Sequence, residues 1–201
     1  MGANKAQGMG YRIFLLALAS TLVGCVGEMP QGTNSPTALA SALMSLSPNV
    51  NASDARRAAD CAYTSSARLK HEYRIVGPAV FQNGLINLGF RKKGFCYHYT
   101  EDLLADMQRL DLRTLQIHWA IAHPGTYFES NALVLTAPGQ PLEEGIVLDP
   151  WRHAGKLYWN KAAADRAFGW HEDHSEYARD RLSRSANAKR RAHAPVVATS
   201  R

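Results

Sequence analysis

Apolar residues recur along the chain with two different periods. Between Ser53 and Tyr73, Ala55, Ala58, Ala59, Ala62 and Leu69 lie roughly on one side of a helix, with Ser53 placed as its N-cap. Leu103, Leu104, Met107 and Leu110 form a second helical stripe, with Glu101 and Asp102 suited to its first turn. The pattern then changes to period two. In TLQIHWAIAH, Leu115, Ile117, Trp119 and Ile121 alternate with Thr114, Gln116, His118 and Ala120. SNALVLT (130–136), GIVLD (145–149) and KLYW (156–159) read as three further strands, the middle two separated by the turn-rich APGQPLEEG. Residues 79–94 carry Gly84, Gly89 and Gly94 and read as loop or short extended pieces. Helices first and closely connected strands afterwards predict an α+β domain, N-terminal helices packed on an antiparallel β-sheet.

The two ends follow other rules. Lys5 and Arg12 precede a ten-residue apolar run, Ile13 to Leu22, too short to span a bilayer as a helix but suited to a secretory signal. The run leads into Leu22-Val23-Gly24-Cys25, which resembles the bacterial lipobox. That resemblance implies a signal peptide over 1–24, cleavage before Cys25 and lipidation of its thiol. It also implies a protein of the cell envelope anchored in a membrane, with Val26 favouring the outer membrane, facing the periplasm. Residues 25–52, rich in Gly, Pro, Ser, Thr and Asn, read as a tether with one short helical stretch. Residues 53–178 form the expected domain, and 179–201 a basic, disordered tail.

Charge separates along the same boundaries. The chain has 201 residues and a net charge of +6. Two of its 23 basic residues fall in 1–24 and seven in 179–201, leaving fourteen against sixteen acids in 25–178. A near-neutral domain lacks the basic face that nucleic-acid binding requires, so no nucleic-acid partner is expected.

The candidate chemistry centres on Cys96. It stands at or just before the start of the helix that carries Leu103 to Leu110, after Arg91, Lys92 and Lys93. Free N–H groups and positive charge at such a position favour thiolate. Three readings stand open: a nucleophile, a small core residue, or one half of a Cys61–Cys96 disulfide closing a loop of about 36 residues and worth up to ~4 kcal/mol. Neither a zinc spacing nor a phosphate-cradling glycine loop is present, so neither metal nor cofactor is expected. His171 and His174 in HEDH read as a solvated turn.

A cysteine opening a helix, followed by strands that run NALVLT…GIVLDPW, resembles the papain-like/transglutaminase-like cysteine hydrolase superfamily over about residues 90–160. The resemblance implies a nucleophile at Cys96 and an orienting acid at Asp149. Where the family's histidine would fall, this chain has Ser130 and Asn131. His118, on the polar side of the preceding strand, and His123, at its end, are the two substitutes for a base. Three functions follow as expectations. One is a thiol peptidase or amidase acting on an envelope peptide or protein. The second is an inactive binding or scaffolding lipoprotein of the same fold. The third is a disulfide-stabilised structural domain.

Overall fold

The computed structural model describes residues 34–192, with side chains through Arg184. The signal peptide, Cys25 and residues 193–201 lie outside the described residues.

The folded unit begins at Asn34, earlier than the expected boundary at 53. Ser35 caps α1 (Pro36–Met44) by accepting the Ala38 N–H at 3.1 Å, and Pro36 presets the first turn. Leu39, Ala40 and Leu43 give this short helix an apolar face, and the main core buries it. The stretch therefore belongs to the domain and not to a tether. Asn51, two residues before the expected cap, accepts the Asp54 N–H at 2.7 Å and starts α2 (Ala52–Glu72). Ala55, Ala58, Ala59 and Ala62 are fully buried there, and their small size lets α2 lie close against its neighbours.

A third helix, α3 (Ala79–Asn87), occupies the stretch expected to be loop. Gly84 in its middle hides it from propensity. Pro78 sets its start, and only Ala79 and Gln82 are buried. Gly94, at φ 135°, then leads into α4 (Cys96–Arg109). A Cβ at Gly94 would lie 3.1 Å from the Gln82 side chain and 3.3 Å from Ile86, so the turn that delivers Cys96 needs glycine. The helix starts at Cys96 itself, which moves Glu101 and Asp102 out of the first turn.

Four strands follow as a meander: β1 (Gln116–Ala122), β2 (Ser130–Thr136), β3 (Ile146–His153) and β4 (Lys156–Lys161). With β5 (His171–Glu172) they make one antiparallel sheet in the order β4-β3-β2-β1-β5. The expected α+β class, with helices and an antiparallel sheet, is the observed one. The third strand runs past Asp149-Pro150 through an irregularity in its pairing with β4, and so outlasts its expected end at 149. Leu133 sits opposite both Trp119 and Leu148. With Leu135 and Ile146 these residues face the helices and share the main core with Leu39, Leu103, Leu104 and Met107. The other face carries Ala120, Ala122, Ala132, Val134 and Val147, covered by Leu142, Ala162 and Trp170. Both faces of β2 are therefore buried, and all seven of its residues with them.

The tail from 179 is helical through Ala192, not disordered. α5 (Glu176–Ala192) is held by Ala178, fully buried, and Leu182, one turn on, which meets the main core. A boundary at 179 splits this pair, and the remaining sequence then shows only charge. Arg181 adds an ion pair to Glu101 at 2.9 Å. No helix of the described residues is long and apolar enough to cross a membrane.

Candidate functional site

Cys96 is the first residue of α4 and turns toward the start of β2. Its thiol lies 3.8 Å from the Glu129 carbonyl oxygen, to which it donates. The Asn131 side-chain amide donates to the sulfur at 3.8 Å. The direction of that amide follows from a second contact. Trp119 Nε1–H can only donate, and it donates to Asn131 Oδ1 at 2.8 Å. The oxygen is thereby held away from Cys96, and the NH₂ faces the sulfur.

Burial pushes the Cys96 thiol above its ordinary pKa. The Asn131 side chain, the Asn131 N–H and the Tyr97 N–H pull the other way, and the charge of Asp149 adds to the upward push. Burial wins because only 8% of the residue is exposed. The upstream cations do not offset it. Lys93 pairs with Asp102 at 2.8 Å, and Arg91 donates to the neighbouring Phe90 carbonyl. A thiol at this helix start is thus held neutral, the reverse of the expected drift toward thiolate.

Neither candidate histidine meets the sulfur. His118 is buried on the sheet face opposite Trp119, with Nδ1 3.0 Å from Glu172 and Nε2 2.9 Å from Thr136. Strand alternation puts it there: Trp119 points to the helices, so His118 cannot. His123, at φ 50°, follows the last residue of β1 and brings Nε2 to the Ala167 carbonyl at 3.1 Å. His98, two residues past Cys96, folds back on its own helix start, where Nδ1 accepts the Phe95 and Gly94 N–H groups at 3.2 and 3.3 Å. That contact completes half of a capping box.

Asp149 is fully buried and also faces away from the helices. Leu148 sits opposite Leu133, so the next residue lies beside Ala132, on the face opposite Asn131. Its carboxylate accepts the Trp151 and Arg152 N–H groups at 3.0 and 3.1 Å and Arg152 Nε at 3.0 Å. Burial raises its pKa against the pull of Arg152. Arg152 also forks onto Asp165 at 2.6 and 3.1 Å and lies 3.9 Å over the Tyr158 ring and 3.7 Å over that of Phe168. Arg152 and Asp165 carried no recognisable motif; the network exists only because β3, β4 and the 162–170 segment meet.

The structure therefore brings together Cys96, Asn131 and Trp119, and leaves His118, His123 and Asp149 in separate contacts. Cys61 and Cys96 are both free thiols, and Cys61 lies 3.7 Å from the Ser65 hydroxyl. Among the described residues no cluster of side chains suits a metal ion. Aromatic residues flank Cys96 and Glu129 in the chain. Phe95 stacks with Tyr97 and His98 at the first turn of α4, and Tyr127 and Phe128, exposed by 82% and 75%, immediately precede Glu129. Ser130 Oγ, Tyr99 Oη and Trp151 Nε1 are buried polar atoms with no hydrogen-bond partner among the described residues. No family model, no curated protein and no solved structure matches the chain.

Proposed function

We propose that this is a bacterial envelope lipoprotein, anchored through Cys25 in the outer membrane and facing the periplasm. Its domain is a papain-like/transglutaminase-like fold that binds an envelope peptide or protein beside Cys96 without cleaving it. One observation carries the reading. The side chain that meets the sulfur is the amide of Asn131, which donates a hydrogen bond and cannot take a proton. A nucleophilic cysteine needs a base at that place to make thiolate and later protonate the leaving group. Here burial keeps the thiol neutral. The exposed Tyr127 and Phe128 and the half-exposed Tyr97 offer the rigid aromatic area that binding sites use.

The thiol hydrolase remains the second reading because Cys96 is the first residue of a fourteen-residue helix, whose start leaves backbone N–H groups without helical partners. That is the arrangement an oxyanion hole draws on. Alkylation of Cys96 by iodoacetamide across a pH series, in the Cys61→Ser protein, separates the two. The binding reading expects a midpoint above that of an ordinary thiol and no turnover of peptide amide substrates. A midpoint below the ordinary value, or peptide hydrolysis that Cys96→Ser abolishes, would overturn it and establish the hydrolase.

A further inference from the structure

Between Glu72 and Glu101 the chain has no acidic residue and four basic ones, Arg74, Arg91, Lys92 and Lys93. The same stretch carries five of the large apolar side chains most open to solvent: Val76, Val80, Phe81, Leu88 and Phe90, exposed by 51% to 72%. The two sets occupy one protrusion. Of the nine residues of α3, Ala79 and Gln82 are buried and Asn83, Leu85 and Ile86 partly so, while Val80, Phe81, Gly84 and Asn87 form an exposed side. The chain enters α3 past Arg74 and Val76 and leaves it through Leu88, Phe90 and the basic run. A cleft of about 610 Å³ is lined by Arg74, Phe90, Arg91, Lys92 and Lys93 together with Glu72, Tyr73 and Asp102. The two acids are engaged, Glu72 by Arg68 at 2.7 Å and Asp102 by Lys93 at 2.8 Å. Arg74, Arg91 and Lys92 form no ion pair among the described residues.

We infer that the 74–93 protrusion is a membrane-docking surface that inserts Phe81, Leu88 and Phe90 into an anionic bilayer while Arg74, Arg91 and Lys92 contact lipid phosphates. Exposed apolar patches of this kind mark interaction sites. Charge and shape choose the partner. A second copy of the chain would bring the same cations face to face. A soluble protein would need an acidic, concave surface to receive a projecting helix. An anionic bilayer supplies both requirements, because headgroups meet the cations and the acyl boundary accepts the apolar side chains. The surface lies outside the cysteine site and does not depend on what that site does. With a lipid on Cys25 it would give the domain a second point of attachment and fix its orientation on the membrane.

Hydrogen exchange of the full chain carrying Cys25→Ser tests this without the lipid. It is measured on vesicles of phosphatidylglycerol and on vesicles of phosphatidylcholine. On phosphatidylglycerol the amides of residues 76–93 should exchange several-fold more slowly than on phosphatidylcholine, while those of β2 should not change. Arg74→Glu with Lys92→Glu should weaken that protection by about fivefold per lost cation. Phe81→Ser with Leu88→Ser should abolish it, with unchanged circular dichroism. Equal exchange of 76–93 on both vesicles overturns the proposal, as does protection that survives both pairs of substitutions. Protection of 76–93 that appears only with an added envelope protein, and not with lipid, assigns the surface to that protein and equally overturns it.

Discussion

Asp54 joins the helical layer to the start of the sheet, and replacing it by Asn tests how much that junction contributes. Its carboxylate is 3% exposed. Oδ2 accepts the Arg113 N–H, the Thr114 N–H and the Thr114 hydroxyl, each at 2.8 Å, and Oδ1 pairs with Arg57. Burial alone would raise its pKa. The hydrogen bonds from Thr114, Arg57 and the Arg113 N–H outweigh it and leave the group at about 2, against an ordinary 3.8. The depressed value means the folded state prefers the ionised form. Its stabilisation is fully present above the unfolded value and is lost as pH falls through the folded one. The difference corresponds to about 2.4 kcal/mol at neutral pH. An amide at this position cannot keep the charge and turns an NH₂ toward either Arg57 or the Thr114 donors. Urea unfolding of both proteins across pH measures the effect. Asp54→Asn should lose about 2 kcal/mol or more at neutral pH, and the gap should narrow between about pH 5 and pH 1. A gap that is absent at neutral pH, or that keeps its full size in acid, would refute the assignment of that energy to the ionised carboxylate.

Other expectations rest on separate parts of the fold. Arg152→Met strands the buried carboxylates of Asp149 and Asp165 and should cost about 3–5 kcal/mol, with partial recovery when Asp149→Asn is added; unfolding free energies that match the wild type would remove the network from the fold's support. Arg152→Lys should recover little, because an ammonium has neither the planar fork that spans both acids nor the flat face set between Tyr158 and Phe168. Tyr73→Phe removes the O–H that donates to Asp102. Asp102 is lowered, against its own burial, by Lys93 and Tyr73, so its titration followed by carboxyl NMR should move upward in the variant, and an unmoved curve would show that Lys93 suffices. Gly145→Ala would place a methyl 2.5 Å from Val134 Cγ1 and 2.8 Å from the Leu135 carbonyl oxygen, and should lower stability by about 1–3 kcal/mol in urea unfolding.

Much of the architecture was legible in the chain because it depends on local spacing. The stripe of Leu103, Leu104 and Met107 faces the sheet as a helix, and SNALVLT forms a strand over the residues its composition marks. Cys96 opens a helix, as the residues around it indicate. Two helices, and the place of a third in the domain, escaped that reading for physical reasons. The first helix has only three buried residues, and its polar surroundings look like a tether until α2 is laid beside them. The short α3 holds a glycine, and α5 rests on two small contacts in a run of charge. Each is stabilised by what it touches more than by its own propensity.

The chemistry of the site was settled by pairing between distant residues. Strand alternation sends neighbours to opposite faces, so a shift of one position decides which side chain meets the sulfur. Register puts Asn131 with Leu133 and Trp119 on the helix side, and His118 and Asp149 on the other. Residue types alone listed histidines, an aspartate and a thiol as candidates for one constellation. Only the assembled sheet separates them, because burial and direction are properties of the packed core and not of the segment that enters it.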